Sequence, residues 1–401
     1  MERALPRQSA ASPKLLHLAL DEKFIPFARR LYETAFPGRN RFRVMAPAVG
    51  TPQHVQQDAS LRLVPRTYWF SRDLRSDLQW CDCLVVHCMT PWFARAVQAA
   101  PPNVAVVWSA WGADYYGLIP QYAHSLLLPE TKRIAARLPL RRNSDPRANL
   151  AYLLDLLLEK MMHPTWERRV LARVDAVTML PAEFRLLKEA HPLFRAKLHH
   201  LQYSSVEEAL MQGPERMEGP DILLGNSATA TNNHAEAIAL LGRLDLRGRR
   251  VIVPLSYGDT AYADQICRIG VKMLGEHFTP LRDFVSLAEF NRLISTCGTV
   301  LMNHARQQAF STVNSALFKG AKVFLRPENL MLPFYRDLGI HACDVPEHAK
   351  FDSRDFFEPL TQAQRRDNRN SLLSLCSSDR VLEGVRSLEK FVNEKRGTRN
   401  V

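Results

Sequence analysis

No stretch of this chain holds the roughly 18 consecutive apolar residues that a membrane-crossing helix requires. Its opening segment, residues 1–14, also lacks the uninterrupted apolar core of a secretion signal and reads as a disordered lead-in. These absences exclude a spanning protein and leave a soluble or membrane-associated one. Cysteine is sparse and odd in number, with seven thiols scattered through apolar segments, which argues for reduced cysteines in a cytoplasm. Cys81-x-Cys83 followed by His87-Cys88 matches no zinc spacing and reads better as a buried strand. A Gly-Lys-Ser/Thr ending, an Asp-x-Asp pair, zinc-finger spacing, an RNP-type aromatic motif, a basic low-complexity tail and short internal repeats are missing too. No metal, no cofactor and no nucleic-acid partner are therefore expected, although a basic nucleic-acid-binding protein is the competing class that the charge raises.

What is present is a long, basic, ordinarily apolar chain. Its 401 residues exceed the roughly 250–300 that one core usually holds, so two domains are expected. Lys and Arg outnumber Asp and Glu by 53 to 41, and a surface of net charge +12 attracts phosphates on nucleic acid, lipid headgroups or lipid-linked substrates alike.

Apolar strand-like runs alternate with helical stretches in both halves. In the first, Leu15 to Leu20, Arg41 to Ala46, Asp82 to Met89 and Val104 to Trp108 read as strands, and Ile25 to Phe36 and Pro91 to Ala100 as helices. In the second, Ile222 to Leu224, Arg250 to Pro254, Thr299 to Asn303 and Ala321 to Leu325 read as strands. Helices are expected over Asn233 to Leu241, Tyr262 to Leu274, Leu287 to Thr296 and Thr312 to Lys319, with a helical tail over Thr361 to Glu394. The alternation predicts an α/β protein of two Rossmann-like domains with parallel sheets facing across a cleft. The divisions are a lead-in at 1–14, a first domain at 15–211, a second at 212–345 and a helical tail at 346–401. Gln212 to Pro220 has linker composition. The Arg-rich segment 130–173 forms a basic helical insert, which either lies on an anionic membrane surface or is an ordinary helix with a solvated Arg face.

Ligands of open parallel sheets bind beyond the carboxyl ends of the strands. Three loops of the second half have that place. Gly225-Asn226-Ser227 with Asn232-Asn233-His234 offers a tight turn and an anion cradle, or else a long capped loop without ligand. In Asn303-His304-Ala305-Arg306-Gln307-Gln308, Arg306 is expected to meet a diphosphate, with Ser311 and Thr312 capping the next helix and their amides pointing toward it; the alternative is an exposed turn. Glu328, beside Asn329, is placed to accept from ribose hydroxyls or to pair with Arg326. In the first half, Trp108-Ser109-Ala110-Trp111-Gly112-Ala113-Asp114-Tyr115-Tyr116 follows the strand Val104 to Val107. Trp111, Gly112 and Tyr115 suit a sugar acceptor and Asp114 a general base, unless Asp114 merely caps a helix and the tryptophans are core.

Together with Pro-Leu-Ser-Tyr-Gly (Pro254 to Gly258) and Arg-Pro-Glu-Asn (Arg326 to Asn329), these motifs resemble the TDP-4-acetamido-4,6-dideoxygalactose (Fuc4NAc):lipid II transferases of enterobacterial common antigen synthesis, a group 56-like family. The resemblance runs from about Leu15 to Gly339. It implies a metal-independent hexosyltransferase with the GT-B fold, using a dTDP- or UDP-sugar donor and a polyprenyl-diphosphate-linked glycan acceptor. A peripheral place on the cytoplasmic face of the bacterial inner membrane is implied with it. Carried over by position, the Gly225 loop and Arg306 would hold the diphosphate, Glu328 the nucleoside sugar and Tyr257 the region near the base or donor sugar, while Asp114 would face the acceptor. Ala228 to Thr231 and the region around Arg141 depart from the family pattern, which leaves open a relative that uses another nucleotide sugar for O-antigen or protein, or a nucleotide-sugar epimerase.

Overall fold

A computed structural model of the chain describes residues 12–47, 50–138, 146–203, 205–207, 214–346 and 352–397. Residues 1–11 of the expected lead-in, 139–145 of the basic insert and 212–213 of the expected linker lie outside them.

The first sheet holds β1 (Leu15–Leu20), β2 (Asn40–Met45), β3 (Leu61–Val64), β4 (Cys83–His87), β5 (Ala105–Ser109), β6 (Ala176–Thr178) and β7 (Lys197–Leu198). Its order is β3-β2-β1-β4-β5-β6-β7, and every pairing is parallel. The second holds β8 (Ile222–Leu224), β9 (Val251–Pro254), β10 (Phe278–Leu281), β11 (Thr299–Met302), β12 (Lys322–Leu325) and β13 (Cys343–Asp344). It repeats the scheme as β10-β9-β8-β11-β12-β13, again parallel throughout. The expectation of two Rossmann-like sheets therefore stands. Strands buried on both faces need continuous apolar runs, and β1, β4, β5, β8, β9 and β11 supply them. The edge strands β3, β7, β10 and β13 escape a reading of periodicity because they are only two to four residues long.

In the first domain, α1 (Ile25–Ala35), α2 (Arg72–Trp80) and α3 (Pro91–Ala99) cover the sheet. Ser71 caps α2, and Thr90 caps α3 with Pro91 at its first position, an order that satisfies orphan amides and presets φ. The basic insert divides. Its first helix, α4 (Pro129–Arg137), sends Ile134 into the second domain's core, whereas α5 (Pro146–Thr165) lies against α3 of the first. α6 (Pro181–Ala190) follows β6.

In the second domain α7 (His234–Leu241), α8 (Thr260–Leu274), α9 (Leu287–Ile294), α10 (Phe310–Phe318) and α11 (Met331–Asp337) alternate with the strands. The tail carries α12 (Ser353–Phe357), α13 (Gln362–Cys376) and α14 (Ser378–Gly397), with a break at Ser377. α14 crosses back to the first domain, where Val385, Leu388 and Val392 pack with Leu15, Ala28, Tyr32 and Val85. Ion pairs from Lys395 to Asp175 and from Arg396 to Asp82 fasten its end.

Candidate functional site

Strand order reverses direction between β8 and β11, and the loops beyond these two strands flank the crevice where doubly wound sheets bind ligands. The expected Gly225 loop follows one, and the expected Arg306 loop follows the other.

The first loop is built around buried amides. Gly225 has φ +68°, and a Cβ there would come within 2.7 Å of Asn232 Oδ1 and 2.8 Å of His234 Nε2. Asn232 is fully buried. Its Oδ1 accepts from the Asn226 amide at 3.0 Å and faces His304 Nε2 at 2.8 Å, and its Nδ2 donates to Thr229 Oγ1 at 2.8 Å and Ser227 O at 3.0 Å. Asn233, at φ +50°, opens α7 and donates to Asn303 O while accepting from the Leu128 amide of the first domain at 2.9 Å. His234 points Nδ1 at Tyr262 Oη, 3.2 Å away, while its buried Nε2 meets no partner. Asn232, Asn233 and His234 thus form the floor of the loop. Asn226, Thr229 and Thr231 remain partly exposed above it.

Gln308 ties the second loop to the first, donating to Asn226 Oδ1 at 2.9 Å and accepting from Thr231 Oγ1 at 2.7 Å. Ser311 and Thr312 do not cap the helix as expected. α10 begins at Phe310 and its cap is Ala309, held at φ +56°, so Ser311 and Thr312 lie inside the first turn. Their N–H groups are among those an α-helix leaves without an intrahelical acceptor, at its positive end. Arg306 donates from Nη1 to Gln307 O at 2.8 Å, and burial lowers its pKa against the opposing pull of Tyr116, Tyr115, Asp114 and Glu183. Asn329, fully buried, fastens the loop from beneath by donating to Arg306 O at 2.8 Å and His304 O at 3.1 Å. Glu328 accepts from Arg326 at 2.6 Å. Burial pushes its pKa up, but that bond prevails and holds it below the usual carboxylate value. A pocket of about 270 Å³ beside it is lined by Gln121, Tyr122, Ser125, Leu128, Ala305 and Glu328, so both domains contribute to its walls. Tyr257 is exposed and donates across the cleft to Glu22 at 3.1 Å.

On the first domain's face, Asp114 accepts from the Met89 amide at 2.7 Å, Trp108 Nε1 at 2.8 Å and the Trp111 amide at 2.8 Å. The residue keeps a partial opening to solvent, and burial of the carboxyl raises its pKa. Trp111 donates from its indole to Tyr203 Oη at 2.5 Å. Gly112 has φ +87° and meets the second domain directly: a Cβ there would fall 2.6 Å from Gln307 Oε1 and 2.9 Å from Arg306 Nη1. Tyr115 is buried and donates to Glu183, as does Tyr116. The structure thus brings Gly112 and Asp114 to the Arg306 loop but places Tyr115 in the core.

Sequence reasoning missed Glu183 and Tyr203, and it included Tyr116 in the strand-end stretch without giving it a role of its own. Glu183 is at the third position of α6, where an acidic residue reads as an ordinary helix-start signal. Tyr203 lies in no motif. Among the described residues no group of three or more His, Cys, Asp or Glu side chains is arranged to hold a metal ion, and no helix is long and apolar enough to cross a membrane. All seven cysteines are free.

Residues 169–367 match the family described as 4-alpha-L-fucosyltransferase glycosyl transferase group 56. Among solved structures, HepE of Anabaena, described as a complex with UDP and glucose, is similar at 10% identity with a TM-score of 0.60, covering 95% of this chain and 99% of that one. Sucrose-phosphate synthase from Thermosynechococcus elongatus is similar at 12% identity and TM-score 0.59, with 95% and 99% covered. The N-terminal domain of Candida albicans trehalose-6-phosphate phosphatase is similar at 9% identity and TM-score 0.60, with 98% of each covered.

Proposed function

We propose that the chain, whose fold is GT-B, is a hexosyltransferase of the group 56 type and moves a 4-acetamido-4,6-dideoxyhexose from a dTDP-sugar to a polyprenyl-diphosphate-linked glycan. The observation that carries the reading is the meeting of both switch-point loops at one edge of the second sheet, opposite Asp114. In this reading, Arg306 and the first-turn amides of α10 take the donor diphosphate. They stabilise the charge that develops on it as the glycosidic bond to the leaving group breaks, the work a metal ion does elsewhere. Ribose hydroxyls reach Glu328, whose lowered pKa keeps it an acceptor at neutral pH. Asp114 accepts the proton of the acceptor hydroxyl, and its raised pKa brings it nearer the working range of a general base.

A lipid-linked acceptor requires a membrane surface. What supports one is α5, which exposes Leu150, Leu153, Leu154, Leu157 and Met161 along one stripe, with Lys160, Arg168 and Arg169 exposed nearby. In this reading the enzyme is peripheral on the anionic cytoplasmic face of the bacterial inner membrane. Calorimetric titration with dTDP, UDP, GDP and ADP, each with and without EDTA, tests the donor assignment. The expected result is selective binding of dTDP that survives EDTA. Selective UDP binding would replace the nucleotide, a loss with EDTA would overturn metal independence, and silence from all four would remove the donor site.

A further inference from the structure

The structure assigns Glu183 and Tyr116, both in the first domain, the role of positioning residues for Arg306 in the second. This inference rests on the reading that Arg306 holds the donor diphosphate, and adds that the acceptor domain takes part in donor binding.

Glu183 has no exposed surface. Its carboxylate receives the Leu180 amide at 3.0 Å on Oε2, together with the Tyr115 hydroxyl, while the Tyr116 hydroxyl donates to Oε1. A phenol has one proton to give. Because Tyr116 spends its proton on Glu183, its oxygen is left as an acceptor on the side facing the second domain. The Gln307 N–H fills that acceptor at 2.8 Å. The other end of the same residue, Gln307 O, accepts from Arg306 Nη1 at 2.8 Å. Gln307 is therefore gripped at its amide by the first domain and at its carbonyl by the guanidinium. Gly112, with no side chain, lets this loop approach until Arg306 Nη1 and Gln307 Oε1 occupy the space a Cβ would need.

The arrangement is directional. Above the pH of about 7 to which burial raises its pKa, Glu183 is ionised and has nothing to donate, so both phenols must donate to it, and Tyr116 must present a lone pair to Gln307. Replacing the carboxylate by an amide supplies donors of its own and removes that constraint. Removing the phenol oxygen leaves the Gln307 N–H without its partner and frees the peptide that orients Arg306. Both changes lie on the acceptor domain, so a role confined to packing there would lower thermal stability without touching free-nucleotide affinity at the other sheet.

The experiment measures affinities for dTDP and UDP by calorimetry on the full chain carrying Tyr116→Phe, Glu183→Gln, Arg306→Ala and the Tyr116→Phe/Arg306→Ala pair, each checked for folding by thermal melt. Expected is about tenfold weaker nucleotide binding for Tyr116→Phe, the loss of one well-made hydrogen bond. The same direction is expected for Glu183→Gln, and the double variant should be no weaker than Arg306→Ala alone. The donor KM should rise with kcat less affected. Additive losses in the double variant, or unchanged affinity in a folded Tyr116→Phe, would overturn the positioning role while leaving Arg306 as a diphosphate contact. Unchanged affinity for Arg306→Ala itself would overturn the diphosphate reading and this proposal with it. Should Tyr116→Phe fail to fold, Glu183→Gln carries the same comparison with Arg306→Ala.

Discussion

Asp114, the proposed general base, is also a structural acceptor. Three N–H donors converge on it, from Trp108 in β5, from Trp111 just beyond that strand and from Met89 in the loop before α3. An amide in its place turns a donor toward at least one of those three, leaving a buried pair of donors in conflict at a cost of about 1–3 kcal/mol. Asp114→Asn is therefore expected to lower the melting temperature modestly, abolish turnover and leave nucleotide affinity intact. Turnover close to that of the parent would remove Asp114 from proton abstraction. The sequence made the Trp111 to Asp114 stretch legible because aromatic, glycine and carboxylate stand side by side at a strand end. Glu183 was not legible. The two tyrosines it binds lie 68 and 67 residues away in the chain, and helix-start glutamates are common enough to carry no signal alone. Asn232 and Asn329 read as ligand contacts from their type and place, yet their amides are consumed in shaping the loops.

At the scale of elements, α5 presents opposite faces to opposite surroundings. Asp155 on the inner side accepts from Trp92 Nε1 at 2.9 Å and pairs with Arg66, and Leu158 packs against the first core. The outer stripe recurs at intervals of three and four residues, the spacing of one helix face. Leaving so many leucines in water is disfavoured, and transferring each to an apolar phase contributes about 1.5–3 kcal/mol. Leu153→Asp with Leu157→Asp is expected to reduce co-sedimentation with vesicles containing phosphatidylglycerol by more than tenfold, with the melting temperature unchanged. Equal sedimentation of parent and variant would remove α5 as the membrane contact. The composition of this segment foretold its helix and its basic flanks. It did not foretell that α4 and α5 part company onto different domains, because local pattern records which face is apolar and not which core receives it.

At the scale of the whole molecule, four histidines among the described residues are buried and held neutral. Burial lowers the pKa of His87 and His234 to about 3 and that of His17 and His304 well below the usual value. The unfolded chain binds protons at these sites below pH ~6.5 and the folded chain does not, so their stability is whole above that pH and declines as pH falls toward 3. At pH 5, His87 and His234 each cost about 2 kcal/mol relative to neutrality. Glu183 has the opposite sign. Burial raises it to about 7, so the folded state keeps its proton between the unfolded carboxyl range and that pH, and acidification through this window adds stability. One such group offsets about one histidine. The melting temperature is therefore expected to fall between pH 7 and pH 5, a trend that scanning calorimetry at fixed ionic strength would detect; a rise or a flat profile would contradict the neutral assignment. The doubly wound architecture was legible in the alternation of apolar runs and punctuation, whereas the return of α14 was not. Its mixed-charge pattern says that one face seeks a core without saying that the core was begun by β1.

That return sets the order of events during synthesis. Leu15, Ala28, Tyr32 and Val85 belong to a layer completed by Val385, Leu388 and Val392. A ribosome adding roughly 5–20 residues per second leaves this face of the first domain bare for some ten to forty seconds while the second domain is made. The amino-terminal half thus emerges first and is finished last, and throughout that interval its uncovered layer is a surface for holding chaperones.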